Sequence, residues 1–255
     1  MLRIDQLRLL PDQPESGLTA KCARLLRTDP SSLRDLTVLR RAIDAREGLT
    51  FVYTVAVSAP QEAALLRRCR DKRVTAYIPE HYALPAPVTP PEVRPIVVGA
   101  GPAGLFAALV LARCGARPIL LERGQSVEQR SRDVARFWHT GRLDTESNVQ
   151  FGEGGAGAFS DGKLNTGTRD LRHRYIMEQL VACGAPETIL ADALPHVGTD
   201  KLHIALRNLR QQLLGAGADI RFGARLEGFT AQDGALTAIT CRQGDSLYTI
   251  PAQRL

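Results

Sequence analysis

The sequence lacks several features that would have narrowed its function quickly. Its five cysteines, Cys22, Cys69, Cys114, Cys183 and Cys241, include no C-x-x-C and no close pair. That spacing excludes a redox-active dithiol and a cysteine-based metal site, and it suits reduced thiols in a cytoplasmic protein. There is no apolar run of signal-peptide or bilayer-spanning length, and "MLRIDQLRLL" does not read as a leader. No internal repeat is present. The formal charge of +6 is modest for 255 residues; residues 1–90 carry 14 basic and 10 acidic side chains, about +4 of the excess. Such a balance permits an acidic partner without requiring one.

A further lack settles one tempting motif. In "GEGGAGAFSDGK" (152–163), Gly157 to Lys163 fit G-x-x-x-x-G-K, the spacing of a phosphate loop. That loop needs Ser or Thr after the lysine to hold magnesium, and here Leu164 follows. The preceding "LDTESNVQF" is also too polar for the buried strand from which such a loop springs. ATP or GTP hydrolysis is therefore not the expected chemistry.

What is present falls into two parts. Residues 1–83 read as β-α-β-β-α-β, a ferredoxin-like α+β order. Leu18, Cys22, Leu25 and Leu26 fall on one face of the first helix, and "PQEAALLRRCRDK" is the second. Five prolines in "LPAPVTPPEVRP" (84–95) predict a stiff linker, with a second domain over 96–255. RNA-recognition modules share this strand order, but their third strand needs aromatic rings. "EGLTFVYT" (47–54) keeps Gly48, Phe51 and Val52 yet has Glu47, Leu49 and Thr54 where a cation and two rings belong. Nucleic acid is thus a disfavoured partner. Arg40, Arg41 and Arg46 would suit an acidic protein surface.

The second part opens with "PIVVGAGPAGLFAALVLARCGARPILLERG". Ile96–Val98 form a short apolar strand, and Gly99, Gly101 and Gly104 give G-x-G-x-x-G at the turn into a helix. Gly99 permits the tight turn, Gly101 lets backbone approach a pyrophosphate, and Gly104 lets helix and strand pack closely. The helix start, with Ala103 in its first turn, directs amides and a positive dipole end toward that group. Glu122 ends the next strand, 23 residues beyond Gly99, where a carboxylate reaches ribose hydroxyls. These residues predict a Rossmann-type dinucleotide site and disfavour a ribose phosphate. FAD and NAD both remain compatible with them.

The block just quoted, together with "RFWHTGRLDTESNVQFGEGGAGAFSDGKLNTG", "PHVGTDKL", "RRAIDAR" and "FVYTVAV", resembles a family of bacterial FAD-dependent dehydrogenases, NAD(P)/FAD-dependent oxidoreductases with plastid relatives. The resemblance implies FAD as cofactor, NAD(P)H as a conceivable electron partner, and hydride transfer through the flavin to or from a small-molecule substrate. It places Gly152, Gly154, Gly155 and Gly157 at the flavin site, their backbone amides free to approach it. Arg123 and Arg130 either balance pyrophosphate charge or lie solvated on a helix. Ser160, Asp161 and Lys163 would be the polar groups nearest the flavin, and Lys163 either stabilises its anionic reduced form or forms a surface salt bridge.

His196 is the best-placed candidate acid or base, before a helix over "TDKLHIALRNLRQQLLGAG" that Thr199 is expected to cap. His81, His139, His173 and His203 have no metal-ligand spacing, so no metal is expected. "ADIRFGARLEGFT" is expected to be a strand pair, with Arg225 and Leu226 as an adenine contact. "LTAITCRQGDSLYTIPAQRL" predicts two antiparallel strands turning at Gly244-Asp245. Members of the family continue past the region matching Leu255, so the second domain is expected to be incomplete here. The competing expectation is a flavin-binding protein without turnover, whose first domain docks a partner or RNA.

Overall fold

The computed structural model describes residues 1–164 and 170–255. The chain divides into two compact units. One comprises residues 1–81, 164–177 and 187–195, and the other residues 82–163, 178–186 and 196–255. The expected boundary at 84–95 did not anticipate that 164–177 and 187–195 group with the first unit.

In the first unit, β1 (Leu2–Leu9), α1 (Gly17–Leu26), β2 (Arg34–Asp44), β3 (Thr50–Ser58), α2 (Glu62–Arg68) and β4 (Val74–Ala76) follow in order. The strands form one antiparallel sheet, β2-β3-β1-β4. Alternation along β1 and β3 sends Leu2, Ile4, Val55 and Val57 inward, where Leu18, Cys22 and Leu26 meet them from one face of α1. Leu25, expected on that face, is only half-buried. The second helix is shorter than expected because Gln61 takes a left-handed conformation (φ 54°) before it and Cys69 turns extended after it.

The edge of β2 is covered by a later segment of the same unit. Arg41 donates its N–H to Ala191 O (2.6 Å), Ala193 donates back to Arg41 O (2.8 Å), and the Arg41 guanidinium pairs with Asp192 at 2.7 Å. Arg41 is thereby not available to pair with another chain.

In the second unit, β5 (Ile96–Val98), α3 (Pro102–Arg113) and β6 (Ile119–Glu122) make a parallel β-α-β turn. After α4 (Val127–Thr140) and α6 (Thr199–Gly215, following α5 at Leu171–Ala182), β7 (Asp219–Phe222) joins as a third parallel strand, in the order β5-β6-β7. The expected strand pair over "ADIRFGARLEGFT" is corrected here. Gly223 (φ +66°) breaks the run, so β7 stays in the parallel sheet while β8 (Ala224–Gln232) starts another. That second sheet, β10-β9-β8 with β9 at Ala235–Gln243 and β10 at Ser246–Pro251, is antiparallel. Ile96, Ile119 and Leu121 share one core with Ala224, Ile239, Cys241 and Ile250. The proline-rich stretch forms no helix or strand, but it is not free of contacts: Val88 N–H donates to Cys114 O (2.7 Å) and Cys114 Sγ to Pro85 O (3.4 Å).

Candidate functional site

The turn from β5 into α3 is drawn tight by the residues that motif spacing singled out. Gly99 has φ +92° and donates its N–H to Leu121 O at 2.7 Å. Gly104 packs directly under it: a Cβ there would lie 1.8 Å from Gly99 O. Gly101, by contrast, has nothing within 4 Å of where its Cβ would be, so that space is open. Leu105 N–H is the first to reach back to a carbonyl, that of Gly101. Ala103 and Gly104 therefore present amides with no intrahelical acceptor, at the positive end of the helix dipole.

Glu122 is 5% exposed and accepts from Ala100 N–H (2.7 Å) on one oxygen and from Gly124 N–H (2.8 Å) on the other. It clamps the turn to β6, and each oxygen keeps a lone pair for a further donor.

At 152–155 the amides of two of the three glycines are taken within the chain. Gly154 N–H is already spent on Ala100 O (2.8 Å) and Gly155 N–H on Gly152 O (3.0 Å). What these glycines permit is close packing: a Cβ would meet Arg130 Cδ at 2.5 Å from Gly152, Leu206 Cδ1 at 2.5 Å from Gly154, and Pro102 Cδ at 3.3 Å from Gly155. All three have positive φ, which glycine adopts without strain.

Arg130 is the reason the loop can hold this shape. It is fully buried, and its guanidinium donates to the carbonyls of Asn148 (2.7 Å), Glu153 (2.8 Å) and Gly155 (2.7 Å) while lying over the Phe159 ring at 4.5 Å. It does not lie solvated, which corrects that expectation for it, and it is not among the cleft's lining residues. Burial pushes its pKa down to about 10. The neighbouring Glu153, 1% exposed, accepts from Val127 N–H (2.8 Å) and Arg210 (2.7 Å), and Arg210 also binds Glu128 (2.5 Å). Burial raises the Glu153 pKa. Sequence reasoning missed Glu128, Glu153 and Arg210, since their pairing spans up to 82 positions.

Together these elements enclose a cleft of about 440 Å³. Gly99, Gly101, Glu122, Gly152 and Gly155 line its inner wall, and Arg123, Phe151, Arg225 and Leu226 its outer part. Arg123 stacks on Phe151 at 4.0 Å and pairs with Glu146 at 2.9 Å, and Glu146 also takes Arg225 at 3.2 Å. Phe151 and Gln150 were not singled out from sequence; an aromatic set just before a glycine cluster was the available signal. The cleft thus gathers Gly99, Gly101, Glu122, Arg123, Gly152, Gly155, Arg225 and Leu226, whereas Ala103, Gly104, Arg130 and Gly154 are not among its lining residues, Ala103 being exposed at the helix start next to Gly101.

Lys163 and His196 are not part of it. They face each other in an isolated antiparallel bridge, where Lys163 pairs with Asp161 at 2.7 Å and His196 Nε2 contacts the Asp161 carbonyl. Both side chains are exposed. Thr199 is the first residue of α6 rather than its cap; Gly198 holds the cap position. Residues 165–167, the end of the quoted "LNTG" block, lie outside the described residues. Among the described residues no cluster of His, Cys, Asp and Glu is arranged to hold a metal, and no helix is long and apolar enough to cross a membrane.

Residues 92–145 match a family described as an FAD binding domain, and residues 1–58 match a domain of unknown function. An uncharacterized protein of Clostridium beijerinckii is 40% identical over 241 residues, 93% of this chain and 45% of that protein. The chain therefore spans under half the length of that relative. Among solved structures, Thermovibrio ammonificans THI4 is similar at a TM-score of 0.40 and 17% identity, over 63% of this chain and 54% of that one. The 3-ketosteroid-delta4-(5alpha)-dehydrogenase from Rhodococcus jostii gives 0.38 and 18%, over 68% and 47%.

Proposed function

We propose that the second unit holds the ADP portion of FAD in this cleft, and that the chain is part of an FAD-dependent oxidoreductase acting on a small-molecule substrate. The observation that carries this reading is the open space at Gly101 beside the Ala103 and Gly104 amides, inside the segment that matches the FAD binding domain family.

The donor set suits a dinucleotide. First-turn amides receive a pyrophosphate, the free lone pairs of Glu122 accept from ribose hydroxyls, and Arg123 stacked on Phe151 offers a flat cationic wall for a base. FAD, when bound, supplies hydride acceptance or donation at its ring. The chain's own residues bind and orient it: Arg130 fixes the cleft floor, and the Arg123–Glu146–Arg225 bridge holds the outer wall.

The Rossmann-type form of the parallel unit, the antiparallel insertion, the ferredoxin-like form of the first unit, the division near 84–95, and membership of the bacterial FAD-dependent dehydrogenase family belong to the same proposal. So does NAD(P)H as electron partner. All five cysteines are free thiols, which accords with a reducing cytoplasmic setting.

The test is the visible absorption spectrum of the chain after FAD loading and desalting. Retained flavin bands are expected in the native chain. Gly101→Val places a side chain in otherwise empty space, so it is expected to keep native circular dichroism and to weaken flavin binding about a hundredfold or more. A folded variant that holds flavin as well as the parent would sink the proposal.

A further inference from the structure

A second concave site lies within the first unit. It is a pocket of about 290 Å³ between α1 and β1, where the chain enters β4. Arg8, Lys21, Arg24 and Arg73 supply its charge, Gln6 its neutral polar group, and the leucines at 7 and 25 its base.

The backbone is bent to make this pocket. Strict alternation from Leu2 and Ile4 would point Gln6 into the core. Instead Gln6 sits at φ +61°, a left-handed conformation rare for a residue with a side chain, and the β1–β3 register shifts between Ile4 and Leu7. Leu7 and Leu9 then take the inward positions and Gln6 is carried out to the rim. On its other side β1 pairs with β4 over Leu2–Ile4, Asp5 N–H donates to Arg73 O (3.0 Å), and Gln6 beyond it is exposed.

Charge accumulates at the same place. Arg8 pairs with Asp44 and Arg73 with Asp71, but neither carboxylate lines the pocket. Lys21 and Arg24, three residues apart on α1, make no ion pair with any described residue. Lys21 and Arg24 thus share one small volume with two arginines whose N–H forks are held by carboxylates outside it. Guanidinium groups bind tetrahedral phosphate oxygens in pairs, and lysine adds a mobile point charge. No aromatic ring lines the pocket, so a stacked base has no platform.

We propose that this pocket binds a compact phosphate-bearing anion, recognised by charge and independent of the dinucleotide cleft. The concave shape and the lack of rings favour such a ligand over an RNA strand.

Inorganic pyrophosphate is the probe, titrated calorimetrically into the full chain at about 50 mM salt, where surface charges are weakly screened. Because the dinucleotide cleft also offers a phosphate site, the titration is repeated on Gly101→Val. Binding is expected to persist there and to weaken about tenfold or more in Lys21→Glu/Arg24→Glu, with flavin retention unchanged. Arg24→Gln, a milder change on an exposed side chain, is expected to weaken it by a smaller factor in the same direction. Binding lost in Gly101→Val, or unaltered in the α1 variants, overturns the proposal. So does tighter binding of a single-stranded RNA that the same variants abolish. A chain that fails to hold flavin but binds pyrophosphate through Lys21 and Arg24 separates this inference from the proposed function.

Discussion

Residues 152–155 and 157–163 are successive pieces of one glycine-rich run, and they solve opposite problems. The first piece is laid over a buried guanidinium: Arg130 is fully buried, Glu153 is 1% exposed, and every backbone carbonyl that Arg130 touches is thereby fixed. The second piece carries its charges outside, with Lys163 and Asp161 more than half exposed and paired across two residues. The lesson is that charge in a glycine loop has two meanings. Buried, it sets backbone shape, because an unmatched guanidinium or carbonyl away from water is strongly unfavourable. Exposed, it is interchangeable with solvent.

The largest effect that sharpens this contrast is expected from Arg130→Met. It removes the donors of two buried carbonyls and one part-buried one and should lower the unfolding free energy by about 3–5 kcal/mol, measured by urea denaturation. A loss near zero would mean that the floor of the cleft is held by packing alone.

Gly154→Ala comes next, because its Cβ would approach Leu206 Cδ1 to 2.5 Å at φ +85°. A loss of about 1–3 kcal/mol is expected in the same titration.

The third test is one of pH. Burial raises the Glu153 pKa, so the folded chain binds that proton more tightly than the unfolded chain. The group's contribution is fully present below the ordinary carboxylate value and is lost as pH rises through the raised one. Melting curves of the native chain and Glu153→Gln should therefore diverge in slope across that window, the native chain losing more stability with rising pH. Parallel curves would place the ionised carboxylate at no disadvantage beside Arg210. The smallest effect is expected from Lys163→Ala, with no resolvable change in Tm; a shift approaching that of Arg130→Met would erase the distinction between the two pieces.

Local pattern carried much of the fold. The apolar face of α1, the alternation in β1, the Ile96–Val98 strand and the turn at Gly244-Asp245 were all legible, because each depends on neighbours a few residues away. α4 and α5 were not recognised. In α4 the buried positions include Arg130 and Asp133, so polar residues occupy part of the face that a hydrophobic period would mark. The strands β7 and β8 were read as a pair for the converse reason: both are β-prone, and only the sheet each joins separates them.

The cleft divides along the same line. Its glycines and Glu122 could be read from spacing, since a strand-turn-helix fixes their positions locally. Phe151, Glu146 and the Arg130 floor could not, since they become neighbours of that turn only after more than twenty intervening residues fold back.

The sequence by itself determined where the chain turns tightly and which turn leaves open space at Gly101, because glycine φ preferences and missing Cβ atoms act within a few residues. The tertiary structure alone decided which charges are buried. Whether Arg130 meets carbonyls or water, and whether Lys163 meets a cofactor or Asp161, depends on desolvation by distant segments, and no local spacing encodes that.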